Sequence, residues 1–495
     1  MEQLVRYQLF IDGRWTDPAS GDWFESDNPF TGTAWALIPR GAAADVDAAV
    51  QAAHRAFRSG PWPALTHSAR GALLRTLGDL CAQRSAFLAG IEVRDNGKLY
   101  AEMSAQTAYM AQWYHYFGGL ADKIEGAVIP SDKPETFNYT RYEPLGVVAA
   151  IVPWNSPLLL TAWKLAPALA AGNTVVIKPS EFTSASTLEF MKLVEEAGFP
   201  PGVVNVVTGF GAEVGAPLVE HPLVAKVAFT GSDATGQRIY EAAARGMKRV
   251  SLELGGKSPN IVFDDAEIEN AIKGVISGIF AATGQTCIAG SRLLVQRSIH
   301  REFVDRLVAF AKTARMGNPM DRDTQIGPVT NPPQFEKILK YLDIAKSEGA
   351  VAVLGGERAT RPECGAGWFV EPTIFDQVHN RMRIAQEEVF GPVLAVIPFE
   401  DEDDAVAIAN DVAYGLAAGV WTQSMRRALS MAERLQAGTV WINTYRAISY
   451  MSPFGGYKRS GIGRESGQEM IHEYLQVKSV WISTARDVAN PFIQR

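Results

Sequence analysis

A cysteine bracketed by glycines is the strongest candidate nucleophile in this sequence. Cys287 lies in the segment ATGQTCIAGSR, between Gly284 and Gly290. Glycine allows other backbone to approach closely. A thiol is the side-chain nucleophile that needs the least activation, because a few per cent of it is thiolate near neutral pH. The other cysteines carry no such signal. We expect Cys81, in the helical pattern LGDLCAQR, to be a small buried hydrophobe and Cys364, in RPECGAG, to be a loop thiol.

A thiol nucleophile needs a base, and Glu253 is the candidate. It ends the apolar part of VSLELGGKSPNIVF and is followed by Gly255 and Gly256. A carboxylate in apolar surroundings has a raised pKa, which suits proton transfer near neutral pH. Read alone, the same residue is equally well explained as a strand-edge carboxylate paired with Lys257.

The segment PWNSP, residues 153–157, follows the apolar run GVVAAIV. Its two prolines hold Trp154 and Asn155 in an irregular loop at the carboxyl end of a predicted strand, where ligands of α/β sheets bind. The Asn155 amide is therefore placed to donate to a developing oxyanion. The alternative is an asparagine that makes only turn hydrogen bonds.

Two glycine-containing turns are candidates for phosphate contacts. Gly209, Gly211 and Gly215 follow VVNVVT with a spacing one residue longer than the usual dinucleotide fingerprint, and Gly231-Ser232 follows KVAFT and precedes a predicted helix. Either helix N-terminus could meet a phosphate. Ordinary strand–helix turns have the same glycines, so neither signal is specific.

These residues must be positioned by alternating strands and helices. GVVAAIVPW, NTVVIKPS, VVNVVTG, VAKVAFTGS and PNIVFDD read as buried strands separated by helical patterns, which predicts a parallel, doubly wound sheet. A second α/β series follows Cys287. FNYTRYEP and YLQVKSVWIST alternate with period two, which is typical of strands with one wet or partner-facing side. Asp12-Gly13 predicts a tight hairpin turn.

Composition restricts the function classes. At 495 residues the chain is long enough for two or three domains, and its net charge of −7 gives no reason to expect nucleic acid. The apolar stretch of residues 146–172 is interrupted by prolines and Lys164, so we expect a buried strand, loop and helix and no membrane span. The first residues lack a secretory signal, and three scattered cysteines fit a reducing compartment, so the cytoplasm is expected. The seven histidines show no metal-ligand spacing, and no metal is expected.

Taken together, the segments resemble the aldehyde dehydrogenase superfamily over essentially the whole chain. The matching motifs, in the family's order, are PWNSP, KPSE, FTGS, LELGGKSP, GQTC, EEVFGPV and PFGGYKRSGIGRE. The resemblance implies an α/β fold: a Rossmann-like cofactor domain, an α/β catalytic domain and a small bridging β-sheet. It assigns residues 1–121 and 145–255 to the cofactor domain, 256–458 to the catalytic domain, and 122–144 with 459–495 to the bridging, oligomer-forming segment.

The same resemblance implies the chemistry. The Cys287 thiol attacks an aldehyde, the Asn155 amide and the Cys287 backbone N–H stabilise the oxyanion, hydride passes to the nicotinamide, and Glu253 activates the water that hydrolyses the thioester. It implies NAD as cofactor, with NADP possible, and a homodimer or homotetramer. The implied cofactor contacts are Ile151, Val152, Pro153, Trp154, Lys178, Ser180, Glu181, Gly211, Phe229, Gly231, Ser232, Leu254, Glu388 and Phe390.

The residues implied for the aldehyde tunnel are Trp163, Ile448 and Phe454, with Arg446 near its mouth. Arg446 would attract a carboxylate-bearing aldehyde, although a solvated or ion-paired surface arginine is the simpler explanation. Two other function classes stay open: a coenzyme A-acylating dehydrogenase, against which Glu253 argues, and a catalytically silent homologue, against which the intact Cys287, Glu253 and Asn155 argue.

Overall fold

The computed structural model describes residues 4–487 and 490–493. The predicted division into three segments stays a prediction. Outside the described residues lie residues 1–3 of its first segment and residues 488, 489, 494 and 495 of its last. The start of the N-terminus, for which no secretory signal was predicted, therefore also lies outside them.

The first sheet has five parallel strands at its centre, as the strand–helix alternation predicts. It contains eight strands, and the three at its ends pair antiparallel with their neighbours. The strands, in spatial order, are Gly461–Ile462, Arg249–Glu253, Val224–Thr230, Val147–Ile151, Thr174–Lys178, Val204–Val206, Leu9–Ile11 and Arg14–Thr16. The strands Val147–Ile151 and Thr174–Lys178 are buried along their whole length because helices cover both faces of the sheet.

Helices pack on this sheet and form a further layer beside it. Those that follow its strands or precede them are Ala43–Arg58, Pro61–Ala64, Pro157–Ala170, Ala185–Glu196, Ala216–Glu220 and Asp233–Arg245. The layer consists of His67–Gln83, Ser85–Asn96 and Tyr100–Leu120. Cys81 is fully buried in the first of these helices, as expected.

The second sheet is also mostly parallel and carries the part of the chain after Glu253. Its seven strands are, in order, Val351–Leu354, Thr373–Asp376, Val393–Phe399, Arg292–Gln296, Pro259–Val262, Ala417–Trp421 and Thr439–Ile442, and only the first is antiparallel. The helices around it are Ile268–Ile279, His300–Ala311, Pro332–Ser347, Arg383–Gln386, Glu402–Asn410 and Met425–Arg434. This second α/β series was predicted from the sequence.

Three smaller sheets complete the fold. Thr136–Pro144 pairs along its whole length with Leu475–Ser483 and also with Val128–Ile129, so the two segments with period-two alternation are neighbours. Thr33–Pro39 lies between Val5–Arg6 and Trp23–Asn28, and Tyr414–Gly415 pairs with Tyr457–Lys458.

Two local predictions are confirmed. Asp12 and Gly13, with φ of 54° and 72°, form the turn between the strands Leu9–Ile11 and Arg14–Thr16. The apolar residues 146–172 form a strand, a loop and the helix Pro157–Ala170. In the described ranges, no helix combines the length and apolarity needed to span a bilayer.

Candidate active site

The predicted cofactor residues gather at one edge of the first sheet because they follow the carboxyl ends of its parallel strands. PWNSP follows Val147–Ile151, KPSE begins at the end of Thr174–Lys178, Gly209 to Gly215 follows Val204–Val206, and Gly231-Ser232 follows Val224–Thr230. In the sheet register Ile151 lies beside both Lys178 and Phe229. Carboxyl ends of parallel strands share one edge, where α/β folds bind ligands.

Cys287 lies between the second sheet and this edge. The loop that carries it begins in a tight turn at Ala282 and Thr283, whose φ values of 54° and 53° are unusual for residues with a β-carbon. Cys287 is half-buried. Burial and then the negative charge of Glu253 raise the pKa of its thiol to about 12. The thiol is therefore protonated at rest and needs a base or a stabilising dipole to react.

Glu253 is the last residue of strand Arg249–Glu253 and points into the protein. Its carboxyl group is buried, and among the described residues neither oxygen has a hydrogen-bond partner. Burial, followed by the charge of Glu465, raises its pKa well above the usual value. Lys257 makes no ion pair with it in the described part of the chain, so the strand-edge pairing that the sequence left open does not occur.

Asn155 connects the two sides of the site. Its Nδ2 donates a hydrogen bond to the main-chain carbonyl of Gln285, 3.1 Å away and two residues before Cys287. The side chain therefore reaches across to the nucleophile loop, which decides against an asparagine with turn hydrogen bonds only. A primary amide has two N–H groups, and among the described residues Nδ2 makes this one hydrogen bond only.

The polar groups at the strand ends fit a nucleotide. Lys178 Nζ donates to Glu181 Oε2 at 3.4 Å, so an ammonium and a carboxylate suited to ribose hydroxyls lie together. Ser232 caps the helix Asp233–Arg245, and a helix N-terminus attracts phosphate. A β-carbon added at Gly211 would meet nothing within 4 Å, so the space beside it is open.

The residues predicted to hold the nicotinamide make close contacts on the other side of this edge. The rings of Trp154 and Phe390 meet edge to face with centroids 5.2 Å apart. Glu388 accepts a hydrogen bond from the Gly256 N–H at 3.0 Å, and a β-carbon at Gly255 would lie 2.6 Å from its other oxygen. Burial raises the pKa of the Glu388 carboxyl group.

The remaining predicted cofactor residues lie around this edge, largely buried. These are Ile151, Val152, Ser180, Phe229 and Leu254 inside the protein, and Pro153 and Gly231 at intermediate exposure.

Two of the residues predicted for the aldehyde tunnel belong to a cluster of aromatic rings. The Trp163 ring stacks on Trp113, with centroids 5.6 Å apart, and meets Phe454 edge to face at 5.1 Å. Ile448 is half-buried, and its carbonyl oxygen accepts from the Tyr109 hydroxyl at 3.5 Å.

Arg446 is half-buried near this cluster, in a backbone conformation with φ of 64°. Its guanidinium donates to the carbonyl of Ser277 at 3.3 Å. In the part of the chain that the structure describes, Arg446 forms no ion pair. This argues against the alternative that it is an ion-paired surface arginine.

Several residues that sequence reasoning did not assign to the site are part of it. Lys164 and Glu465 form a fully buried ion pair next to Glu253, and Lys164 Nζ also donates to Thr230 Oγ1 at 2.6 Å. The available signal was a lysine inside the apolar helix segment PLLLTAWKLAPALA, because a buried charge requires a partner. Its partner, 301 residues away, left no local signal.

Cys364, predicted to be a loop thiol, lies in a short 3₁₀ turn and is buried. Among the described residues no three His, Cys, Asp or Glu side chains are grouped as metal ligands.

A nucleophilic thiol and a buried carboxyl group beside a nucleotide-type cleft define a dehydrogenase that works through a covalent intermediate. Residues 15–480 match the model of the aldehyde dehydrogenase family. The chain belongs to this family and is an enzyme that oxidises an aldehyde, so the predicted family, fold class and enzyme class are confirmed.

Relatives agree over almost the full length. The chain is 48% identical to a (Z)-2-((N-methylformamido)methylene)-5-hydroxybutyrolactone dehydrogenase of Acinetobacter baylyi over 99% of this chain and all of the relative. It is 46% identical to the mitochondrial aldehyde dehydrogenase of Homo sapiens, over 96% of this chain and 92% of that protein. The NAD+ complex of betaine aldehyde dehydrogenase from Staphylococcus aureus superposes with a TM-score of 0.97 at 42% identity, covering 98% and 97% of the two chains.

Proposed function

We propose that this enzyme oxidises an aldehyde to the carboxylic acid with NAD, through a covalent intermediate on Cys287. The observation that carries the proposal is the buried Glu253 carboxyl group, which has no partner among the described residues and lies close enough to raise the pKa of the Cys287 thiol. A buried carboxyl group without a partner is costly. This cost is accounted for by a proton-transfer role.

In the first half-reaction the Cys287 sulfur adds to the carbonyl carbon of the aldehyde, and its proton leaves to solvent, either directly or by way of Glu253, which is again a carboxylate before the second half-reaction. The carbonyl oxygen becomes an oxyanion, held by Asn155 Nδ2 and by the backbone N–H of Cys287. Collapse of this thiohemiacetal expels the aldehyde hydrogen with its electron pair, and a thioester forms. NAD+, when bound, supplies the acceptor for that hydride.

In the second half-reaction Glu253 takes a proton from water, and the oxygen attacks the thioester carbon. The carbon–sulfur bond breaks, the proton held by Glu253 passes to the departing Cys287 sulfur, and the carboxylic acid and the Cys287 thiol are released. A carboxyl group with a raised pKa is matched to this task because its basic form is a strong enough base near neutral pH. A coenzyme A-acylating enzyme would have no use for this base.

The fourteen cofactor contacts proposed above support NAD binding at the strand ends, where Lys178 and Glu181 would hold the ribose and Ser232 the pyrophosphate. Trp163, Ile448 and Phe454 would line the aldehyde tunnel, with Arg446 at its mouth. The bridging sheet supports a homodimer or homotetramer because Phe137, Val477 and Trp481 expose apolar surface there. We also propose the three-segment domain division given above and a cytoplasmic location.

The decisive test is Cys287→Ala, measured by NADH absorbance with a panel of aliphatic, aromatic and acidic aldehydes. Turnover is expected to disappear while NAD binding persists, because the cofactor contacts lie on other residues. Cys364→Ala is the control, with turnover largely intact. Substantial turnover in Cys287→Ala would refute the proposal.

A further inference from the structure

Lys98 is a buried lysine that the mechanism above does not use. It follows the helix Ser85–Asn96 and is only 2% exposed. Its Nζ donates to Ser156 Oγ at 3.0 Å, and Ser156 Oγ in turn donates to the Asn155 carbonyl at 2.8 Å. The Ser156 hydroxyl group thus acts as both acceptor and donor. Through it the Lys98 ammonium group is linked to Asn155, the residue that would hold the oxyanion.

A second ionisable side chain contacts the first turn of the helix that follows this loop. Glu92, one turn before the end of the helix Ser85–Asn96, is buried, and its Oε1 accepts from the Leu158 N–H at 2.9 Å. Glu92 and Lys98 therefore contact residues 158 and 156, just after Asn155. A buried ionisable group is costly unless it is matched, and two such groups of opposite sign at the Asn155 loop and the helix after it indicate that the position of this segment matters.

The backbone beside Lys98 also reaches the nucleophile loop. The Asn96 carbonyl accepts from Thr330 Oγ1 at 2.7 Å, and the Thr330 N–H donates to Gln285 Oε1 at 2.9 Å. Gln285 is the residue whose main-chain carbonyl accepts from Asn155. A ring of hydrogen bonds thus joins the Lys98 segment to the Asn155 loop and to the Cys287 loop.

We propose that Lys98 is a positioning residue for the acylation step, which holds the Asn155 loop through Ser156 and places a positive charge near the reacting sulfur of Cys287. This inference rests on the function proposed above. An ammonium group near the sulfur stabilises the thiolate and the oxyanion that follows it, because opposite charges attract strongly where water is excluded.

The charged groups that face Lys98 come from three different parts of the chain. They are Glu102 on the helix Tyr100–Leu120, Arg446 on the substrate side and Glu92 on the helix that precedes Lys98, and the titratable Cys287 thiol also faces it. Burial lowers the pKa of Lys98 to about 8. The ammonium group is therefore mostly charged near pH 7 and mostly neutral above about pH 9.

The test is alkylation of Cys287 by iodoacetamide in the cofactor-free protein, followed by mass spectrometry over a range of pH. Lys98→Met is expected to slow alkylation by up to about tenfold near pH 7. The difference from the wild type should vanish near pH 9.5, since the wild-type lysine is then neutral too. Lys98→Arg stays charged, so it should match the wild type near pH 7 and exceed it near pH 9.5.

Two further variants separate charge from position. Ser156→Ala keeps the ammonium group, so the pH dependence of alkylation should persist while the first-turnover burst of NADH slows. Lys226→Met removes another buried lysine, one that faces Glu473 at 3.7 Å, and should keep the wild-type alkylation profile.

A rate ratio between Lys98→Met and wild type that is constant with pH would overturn the proposed charge. If Lys98→Met does not fold, Lys98→Arg provides the test. An alkylation rate equal to that of the wild type near pH 9.5 would overturn the proposed charge. The alkylation rates of both Lys98 variants are measured without turnover. A failure of the proposed function would instead appear as persistent turnover in Cys287→Ala, so the two failures can be told apart.

Discussion

Gly256 lies against the main chain of Cys287: a β-carbon on Gly256 would be 2.5 Å from the Cys287 carbonyl oxygen. Gly256 follows the strand of the first sheet that ends in Glu253, and Cys287 precedes a strand of the second. The base and the nucleophile approach each other because a glycine allows the two backbones to touch.

Gly256→Ala is expected to lower the stability by about 1–3 kcal/mol and to reduce turnover strongly, because a backbone oxygen cannot move away cheaply. Thermal unfolding and NADH absorbance measure both effects. Gly90→Ala is the control, since a β-carbon there meets nothing within 4 Å inside the helix Ser85–Asn96. It should keep turnover and raise the stability by about 0.5–1 kcal/mol. Wild-type turnover in Gly256→Ala would contradict the close approach.

Asn155→Ala is expected to slow acylation on the order of a hundredfold or more, the effect of one lost oxyanion donor. Stopped-flow measurement of the first turnover of NADH reports this step. Asn270→Ala, at an exposed helix position, is the control and should react at the wild-type rate. A first turnover at the wild-type rate in Asn155→Ala would exclude the proposed role.

Glu253→Gln is expected to release one burst of NADH and then stall, because the thioester would no longer be hydrolysed. In the wild type, hydrolysis should speed up as the pH rises through the raised pKa of Glu253, because only the carboxylate form of Glu253 can take a proton from water. The variant should lose this pH dependence. Glu241→Gln, at an exposed position, is the control. A missing burst would mean that Glu253 is also needed to activate the thiol.

Glu181→Gln is expected to narrow a preference for NAD over NADP. A carboxylate that accepts from a ribose hydroxyl repels a 2′-phosphate, whereas Lys178, 3.4 Å away, partly offsets this repulsion. The ratio of kcat/KM for the two cofactors is the measurement, with the exposed Glu196→Gln as the control. An unchanged ratio would show that Glu181 does not face the ribose.

Lys164→Met is expected to lower the free energy of unfolding by about 3–5 kcal/mol, because it leaves the Glu465 carboxylate buried without its ion-pair partner. Lys192→Met also removes one partner of an ion pair, with Glu189, but the Lys192 side chain is 57% exposed. A change of at most about 1 kcal/mol is expected there. Denaturant unfolding of both variants checks the contrast, and equal losses would contradict it.

The sequence by itself determined the fold class and the candidate chemistry. Strand–helix alternation predicted the two sheets, because short apolar runs separated by helices are typical of parallel strands that are buried on both faces. The thiol of Cys287 and the loop at Asn155 were found because glycines and prolines mark unusual backbone near reactive side chains. These signals are local, and local signals can be read without a structure.

Only the tertiary structure decided what each polar side chain faces. Glu253 could equally have paired with Lys257, and Asn155 could have closed its own turn, since residue types and spacing permit both. The structure instead leaves Glu253 without a partner among the described residues and joins Asn155 to Gln285. The partners of Lys164 and Lys98 are 301 and 58 residues distant. Partners so far apart meet only when the sheets and helices pack. The burial that makes each charge need a partner also arises only on packing, so it leaves no periodic pattern in the sequence.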